Sequence, residues 1–141
     1  MDLKKLNSEV IAQFRANGGR MVEGPFAGAS LLLLSSVGAR SGEPRTNPLA
    51  YLQDGDRLVV IASYAGAAIN PPWYYNLLAN PDVEVEVRNE RFRARATVAK
   101  EPERTELFSR MAAVMPAFSD YQSKTRRVIP VIVLERGAQP G

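Results

Sequence analysis

Hydrophobic positions along this chain follow first a helical period and then a strand period. Over residues 2–16, Leu3, Leu6, Val10, Ile11 and Phe14 share one helical face, with Lys4, Lys5, Glu9 and Arg15 elsewhere. Asn17-Gly18-Gly19 stops that helix, and a Gly- and Pro-containing connection runs over residues 20–29. A continuous apolar run follows, Leu31-Leu32-Leu33-Leu34-Ser35-Ser36. It turns through Gly38-Ala39-Arg40-Ser41-Gly42-Glu43-Pro44 and resumes as Arg45-Thr46-Asn47-Pro48-Leu49-Ala50-Tyr51-Leu52. Two runs bounded by turn residues predict a β-hairpin, and Pro48 places its second strand at an edge or a bulge. Asp54-Gly55-Asp56 is a turn, and the nearly all-apolar run 57–63 predicts a third, central strand. It ends in Ser63-Tyr64-Ala65-Gly66-Ala67-Ala68, a mostly small-residue stretch that lets a ligand approach the backbone.

A helix is predicted over 70–79, with Asn70 as its cap, Pro71 at its first position and Asn80-Pro81 as its stop. Trp73, Leu77 and Tyr74 share its face. Strict alternation marks 82–98 as a second hairpin. A two-residue loop at Asn89-Glu90 would pair Arg88 with Arg91, Glu86 with Arg93 and Glu84 with Arg95. Pro102 opens a further helix with Leu107, Met111 and Val114 inward, ended by Met115-Pro116. Residues 116–125 form an irregular or short helical segment, 127–134 a last strand, and the tail beyond Arg136 is loose. Six strands in consecutive hairpins predict a largely antiparallel sheet, and on this length a small barrel flanked by helices. No repeat or linker divides residues 1–141, so one domain is expected, with 1–19 as an N-terminal helix and 137–141 as the tail.

Composition narrows the chemistry. The chain has no cysteine and no histidine, which removes thiolate nucleophiles, zinc–thiolate sites and the commonest general base and metal ligand. No metal site is expected, and difficult chemistry would fall to a bound cofactor. The net charge of +3 suits an anionic ligand. The arginines of Arg91-Phe92-Arg93-Ala94-Arg95 face acidic partners across the hairpin, so nucleic acid is not expected. No run approaches ~20 apolar residues and the first residues lack a signal-peptide core, so a cytoplasmic protein is expected. The short basic N-terminal helix is a candidate for peripheral membrane contact. The 38–45 turn has two readings. Its glycines and Arg40 and Arg45 suit a concavity for phosphate or carboxylate, or it is an exposed hairpin tip with solvated arginines.

Several separated segments together resemble one family. They are Gly38-Ala39-Arg40-Ser41-Gly42-Glu43-Pro44-Arg45 with Asn47-Pro48-Leu49; Asp54-Gly55-Asp56; Ala62-Ser63 with Gly66; Asn70-Pro71 with Trp73-Tyr74 and Asn76-Leu77; Ala79-Asn80-Pro81; Asp120-Tyr121-Gln122; and Thr125, Arg126 and Ile129-Pro130. Spanning roughly residues 30–134, the chain resembles the deazaflavin-dependent nitroreductases, whose members bind coenzyme F420. The resemblance implies a split β-barrel like that of flavin-mononucleotide-binding oxidoreductases. It implies a reductase passing a hydride from reduced F420 to a quinone, a nitroaromatic or another conjugated acceptor such as an activated carbonyl. A split barrel with exposed edges often pairs, which makes a homodimer a candidate without settling the oligomeric state.

The resemblance also implies site residues. Coenzyme contacts fall on Ala39, Arg40, Ser41, Gly42, Arg45, Asn47, Pro48, Ala62, Ser63, Tyr64, Ala65, Gly66, Pro72 and Trp73. Ser63, Phe118 and Tyr121 would face the acceptor, with Ser63 and Tyr121 hydrogen-bonding its oxygen as charge develops there. Ala39 stands where many members carry a basic residue and Tyr64 where some carry lysine, so this cradle is less positive than theirs. Phe118 replaces a tyrosine of some nitro-reducing members, which favours quinone-like acceptors. Two other readings stay open: a non-catalytic F420 carrier, and a split-barrel protein that binds flavin mononucleotide.

Overall fold

The computed structural model describes residues 3–21 and 30–137, with side chains from Lys5 onward. The expected 20–29 connection lies mostly outside these residues, as do Leu3 and Lys4 as side chains and most of the tail. Helix α1 (Leu3–Ala16) precedes strands β1 (Leu31–Val37), β2 (Pro44–Ala50), β3 (Leu52–Asp54) and β4 (Arg57–Ile61). Helix α2 (Pro72–Ala79), strands β5 (Asp82–Val87) and β6 (Glu90–Val98), helices α3 (Glu103–Val114) and α4 (Ala117–Ser123), and strand β7 (Val131–Arg136) follow.

Seven antiparallel strands form one sheet in the order β2-β1-β5-β6-β7-β4-β3. The expected second strand is therefore two strands. Tyr51 alone separates β2 from β3, yet these lie at opposite edges of the sheet. One residue cannot span a flat seven-stranded sheet at about 4.8 Å per strand. The sheet must curl until its edges meet, which makes the split barrel. Pro48 sits on edge strand β2, where a residue without an N–H is best tolerated.

The all-apolar strands are buried on both faces. Leu32 and Leu34 of β1, Leu58 and Val60 of β4, and Ile132 and Leu134 of β7 fill the barrel with Trp73 and Leu77 of α2. Their neighbours Val59, Ile61, Val131 and Val133 face outward under Leu107, Phe108 and Met111 of α3 and Phe118 of α4. Leu31 and Leu33 meet Val10 and Phe14 of α1. That helix buries its apolar face on the sheet, so a membrane contact would have to use its outer face. Among the described residues no helix is long and apolar enough to cross a membrane.

Other boundaries differ from expectation. The second hairpin turns at Arg88-Asn89, with Arg88 at φ 52°, so the register shifts by two: Glu86 faces Arg91, Glu84 faces Arg93 and Asp82 faces Arg95. Arg93 and Arg95 still meet acids, because a shift of two keeps side chains on the same face, and Arg91, expected opposite Arg88, now meets one too. Within α3, Phe108 takes the inward place expected of Val114, which is the helix's last residue and is exposed. The last strand begins at Val131, because Arg127–Pro130 turn inward toward α4 and the loop after β4.

Helix α1 is tied to the sheet by charge as well. Arg15 Nη2 lies 2.8 Å from Glu86 Oε2. The hydrogen bond from Arg15, aided by its charge, holds the Glu86 carboxyl below the ordinary glutamate range. A carboxylate whose folded-state pKa is depressed stabilises the fold above its unfolded pKa, and that contribution disappears as pH falls through the folded value. Arg15→Ala should therefore lower the urea midpoint at neutral pH by the equivalent of roughly 0.5 kcal/mol, with the deficit shrinking as pH falls below the ordinary glutamate range. A deficit that stays constant with pH would show that the loss is packing alone.

Candidate functional site

A cleft of about 520 Å³ opens where β2, the loop after β4, the start of α2 and helix α4 converge. This size is ordinary for a cofactor or substrate pocket. Strand β2 contributes Asn47, Pro48 and Leu49, and α2 contributes Pro72 and Trp73. Met115, Ala117, Phe118 and Tyr121 close the side made by α4. The walls are mainly apolar, and Trp73 is 6% exposed with its ring held by the barrel core. The Tyr121 ring meets Phe118 edge to face at 5.8 Å, which fixes its direction.

The loop after β4 gives the cleft its polar wall. Ser63 has right-handed helical angles, φ −75° and ψ −35°, and Tyr64, Ala65 and Gly66 then take φ of 47°, 54° and 80°. A right-handed residue followed by left-handed ones turns successive N–H groups to one side, a concavity that binds anions. Two non-glycine residues in this region cost roughly 1–2 kcal/mol each, and such strain persists where surrounding contacts enforce it. Gly66 is demanded twice over: by its φ, and because a Cβ there would lie 2.8 Å from the Tyr121 carbonyl oxygen. Ser63 is nearly buried, and its hydroxyl does not cap the turn that follows.

One side chain holds this loop from outside the cleft. Arg127 donates from Nε to the Ala67 carbonyl at 2.9 Å and from Nη2 to the Ser63 carbonyl at 2.7 Å. Its Nη1 donates to the Ala62 carbonyl at 3.2 Å and to Asn70 Oδ1 at 2.7 Å. Burial pushes the guanidinium below its ordinary pKa, but an arginine starts so high that it stays charged. Asn70 therefore serves Arg127 and does not cap α2. Pro71 takes the cap position and Pro72 the first turn.

The 38–45 turn lies beside the cleft but does not line it. Ala39, Arg40, Ser41, Gly42 and Arg45 are exposed, and Arg45 Nη1 is 3.3 Å from Glu43 Oε2. The turn is fastened to α2, since Ala39 N–H donates to Oδ1 of buried Asn76 at 3.0 Å. Arg45 is two residues from Asn47 on β2, so both project from the same face of the strand.

Of the expected site residues, the cleft brings together Asn47, Pro48, Ser63, Tyr64, Ala65, Pro72, Trp73, Phe118 and Tyr121. Ala62 and Gly66 are buried behind its wall. Beyond apolar lining residues such as Leu31, Ile61 and Met115, the sequence does not reveal two polar residues. Asn7 of α1 lines the cleft, which nothing in the helical period of residues 2–16 reveals. Arg127 lay inside the predicted last strand, next to Arg126 of the matching segment; Arg126 is exposed, whereas Arg127 points inward. The spacing Gln122, Thr125, Arg127 was the available signal, since both earlier residues bond the Arg127 backbone.

Known proteins share this sequence pattern and fold. Residues 6–136 match the model of the F420H(2)-dependent quinone reductase family. This chain belongs to that family. An F420H(2)-dependent quinone reductase of Mycobacterium tuberculosis (strain ATCC 25618 / H37Rv) is 38% identical over 132 residues, 89% of this chain and 86% of that protein. The solved F420-H2 dependent reductase FDR-A superposes with a TM-score of 0.70 at 31% identity, covering 75% of this chain and 94% of that one. A solved domain-swapped dimer superposes with a TM-score of 0.72 at 28% identity, covering 95% and 98%. The family is thus described by quinone reduction, where the sequence resemblance pointed to nitroreductases. Its members are oxidoreductases and its coenzyme is F420.

The structure of this family member makes Gly66 indispensable to the cleft. Gly66→Ala should lower stability by at least about 1–2 kcal/mol, read from the urea midpoint. An unchanged midpoint would mean that α4 does not pack on this turn as described.

Proposed function

We propose that this protein oxidises F420H2 and reduces a quinone within the cleft bounded by Trp73, Ser63 and Tyr121. The observation that carries the reading is the pairing, in one cleft, of an apolar wall with a backbone turn whose right-handed to left-handed angles suit an anion. Coenzyme F420 has the matching halves, a flat ring and a phosphate-bearing tail. Trp73, Pro48 and Ile61 offer apolar surface to the ring. The successive amides of Ser63, Tyr64 and Ala65 suit the phosphate. Arg40 and Arg45 then lie beside the cleft for the outer carboxylates of the tail.

When bound, reduced F420 supplies the hydride. The protein's part is to orient the acceptor, exclude water and stabilise developing charge. The hydroxyls of Ser63 and Tyr121 hydrogen-bond the acceptor oxygen as it gains electron density. Phe118, edge-on to Tyr121, keeps that phenol aimed and gives the acceptor an apolar floor. Phe118 carries no hydroxyl, and Met115 and Ala117 beside it add none, which suits a quinone better than a nitro group.

Two measurements test the assignment. Tyr121→Phe should lower kcat for F420H2 oxidation by menadione roughly 10–100-fold with little change in coenzyme affinity. Equal loss in both would place Tyr121 against the coenzyme. Tight F420 binding without turnover on any quinone would mark a carrier, and a preference for flavin mononucleotide in the same titration would reassign the cofactor. Arg40→Ala should weaken F420 about 3–10-fold at low salt and far less in ~0.5 M salt, because an exposed charge is screened. A salt-independent effect would mean that the loop closes over the coenzyme.

A further inference from the structure

We infer that Arg127 is a positioning residue for this reaction: it holds the 62–70 loop in the left-handed form that shapes the polar wall of the cleft. The inference rests on reading that cleft as the F420 site. Arg127 itself does not line the cleft, so it acts through the loop. The bonds inside the turn are few and local, Gly66 N–H to the Ser63 carbonyl at 2.9 Å and Ala67 N–H to the Tyr64 carbonyl at 3.1 Å. Two successive non-glycine residues in left-handed conformation need more enforcement than that. Arg127 supplies it from both flanks at once, gripping Ala62 and Ser63 before the turn and Ala67 and Asn70 after it. A planar fork of five N–H groups can do this, whereas an ammonium is a single point of charge.

The clamp is itself braced. Gln122 Nε2 donates to the Arg127 carbonyl at 2.7 Å, and Arg127 N–H donates to Thr125 Oγ1 at 3.3 Å. The other end of Gln122 accepts from Arg104 Nη2 at 2.8 Å and from Ile129 N–H at 3.1 Å. Arg104 in turn lies over the Phe108 ring at 4.6 Å. Contacts therefore run from α3 through α4 to the loop. Gln122 follows Tyr121 directly, so one helix sets both the acceptor-side phenol and the clamp. The competing role for Arg127 is as a half-buried positive charge that attracts the anionic coenzyme, and lysine separates the two.

The test compares Arg127→Lys, Arg127→Met and Asn70→Ala with the wild type, by F420 fluorescence titration and by amide hydrogen exchange without coenzyme. The clamp predicts that both Arg127 variants raise the F420 Kd at least about tenfold, and speed exchange at Gly66 and Ala67 at least about tenfold, while β1 and β5 keep wild-type rates. Asn70→Ala removes one of the four contacts and should move both readouts the same way by less. Wild-type binding and exchange in Arg127→Lys would overturn the clamp in favour of charge alone. Uniformly faster exchange in the Arg127 variants, with no local change in Asn70→Ala, would overturn it in favour of general stability. If the wild type itself does not bind F420, the cleft assignment fails, and the exchange comparison still decides the clamp.

Discussion

Everything in this fold follows from a one-residue link. Tyr51 joins two strands that stand at opposite edges of the sheet, and the only way to satisfy that link is to bring the edges together. Closure leaves a seam bordered by β2 on one side and by the end of β4 on the other. The cleft opens along that seam, with Asn47 to Ala50 on its first wall and Ile61, Ser63, Tyr64 and Ala65 on its second. A cleft at the place where a barrel meets itself needs no excavation of the core. The core can therefore stay apolar and close-packed on both faces of the sheet.

The electrostatic design of the cleft is unusual in one respect. Among the described residues no arginine or lysine side chain lines it; on the proposed reading, its attraction for an anion comes from backbone amides in a strained turn. The charge that would normally sit in such a wall stands behind it, in Arg127, which makes four hydrogen bonds to three backbone carbonyls and the Asn70 side chain. Fixed dipoles in a sheltered wall lose less to solvent than the exposed arginines of the 38–45 turn, where Arg45 already leans on Glu43. A side-chain inventory without histidine or cysteine is then no obstacle, because hydride transfer asks the protein for placement more than for proton chemistry.

How much of this was legible in the sequence depended on whether the signal was local. Strands β1 and β4 were plain as unbroken apolar runs, since both of their faces are buried. The β5–β6 hairpin was plain as alternation, but its turn was misplaced because Arg88, not a conventional turn residue, takes the positive φ. Strand β3 is three residues long and has no period to read. Asn70 looked like a helix cap and is a partner of Arg127, a contact 57 residues away that no local pattern encodes. Ser63, Trp73 and Tyr121 were found through family resemblance, and the fold brings them to one cleft. Asn7 and Arg127 were missed because their roles exist only after the barrel has closed.

The most direct test is where the charged and flat halves of the coenzyme lie in a crystal structure of the protein soaked with F420. The deazaflavin ring should stand beside Trp73 and the phosphate within hydrogen-bonding distance of the Ser63–Ala65 amides. A phosphate lodged elsewhere, or a ring outside the seam between β2 and β4, would contradict the cleft assignment.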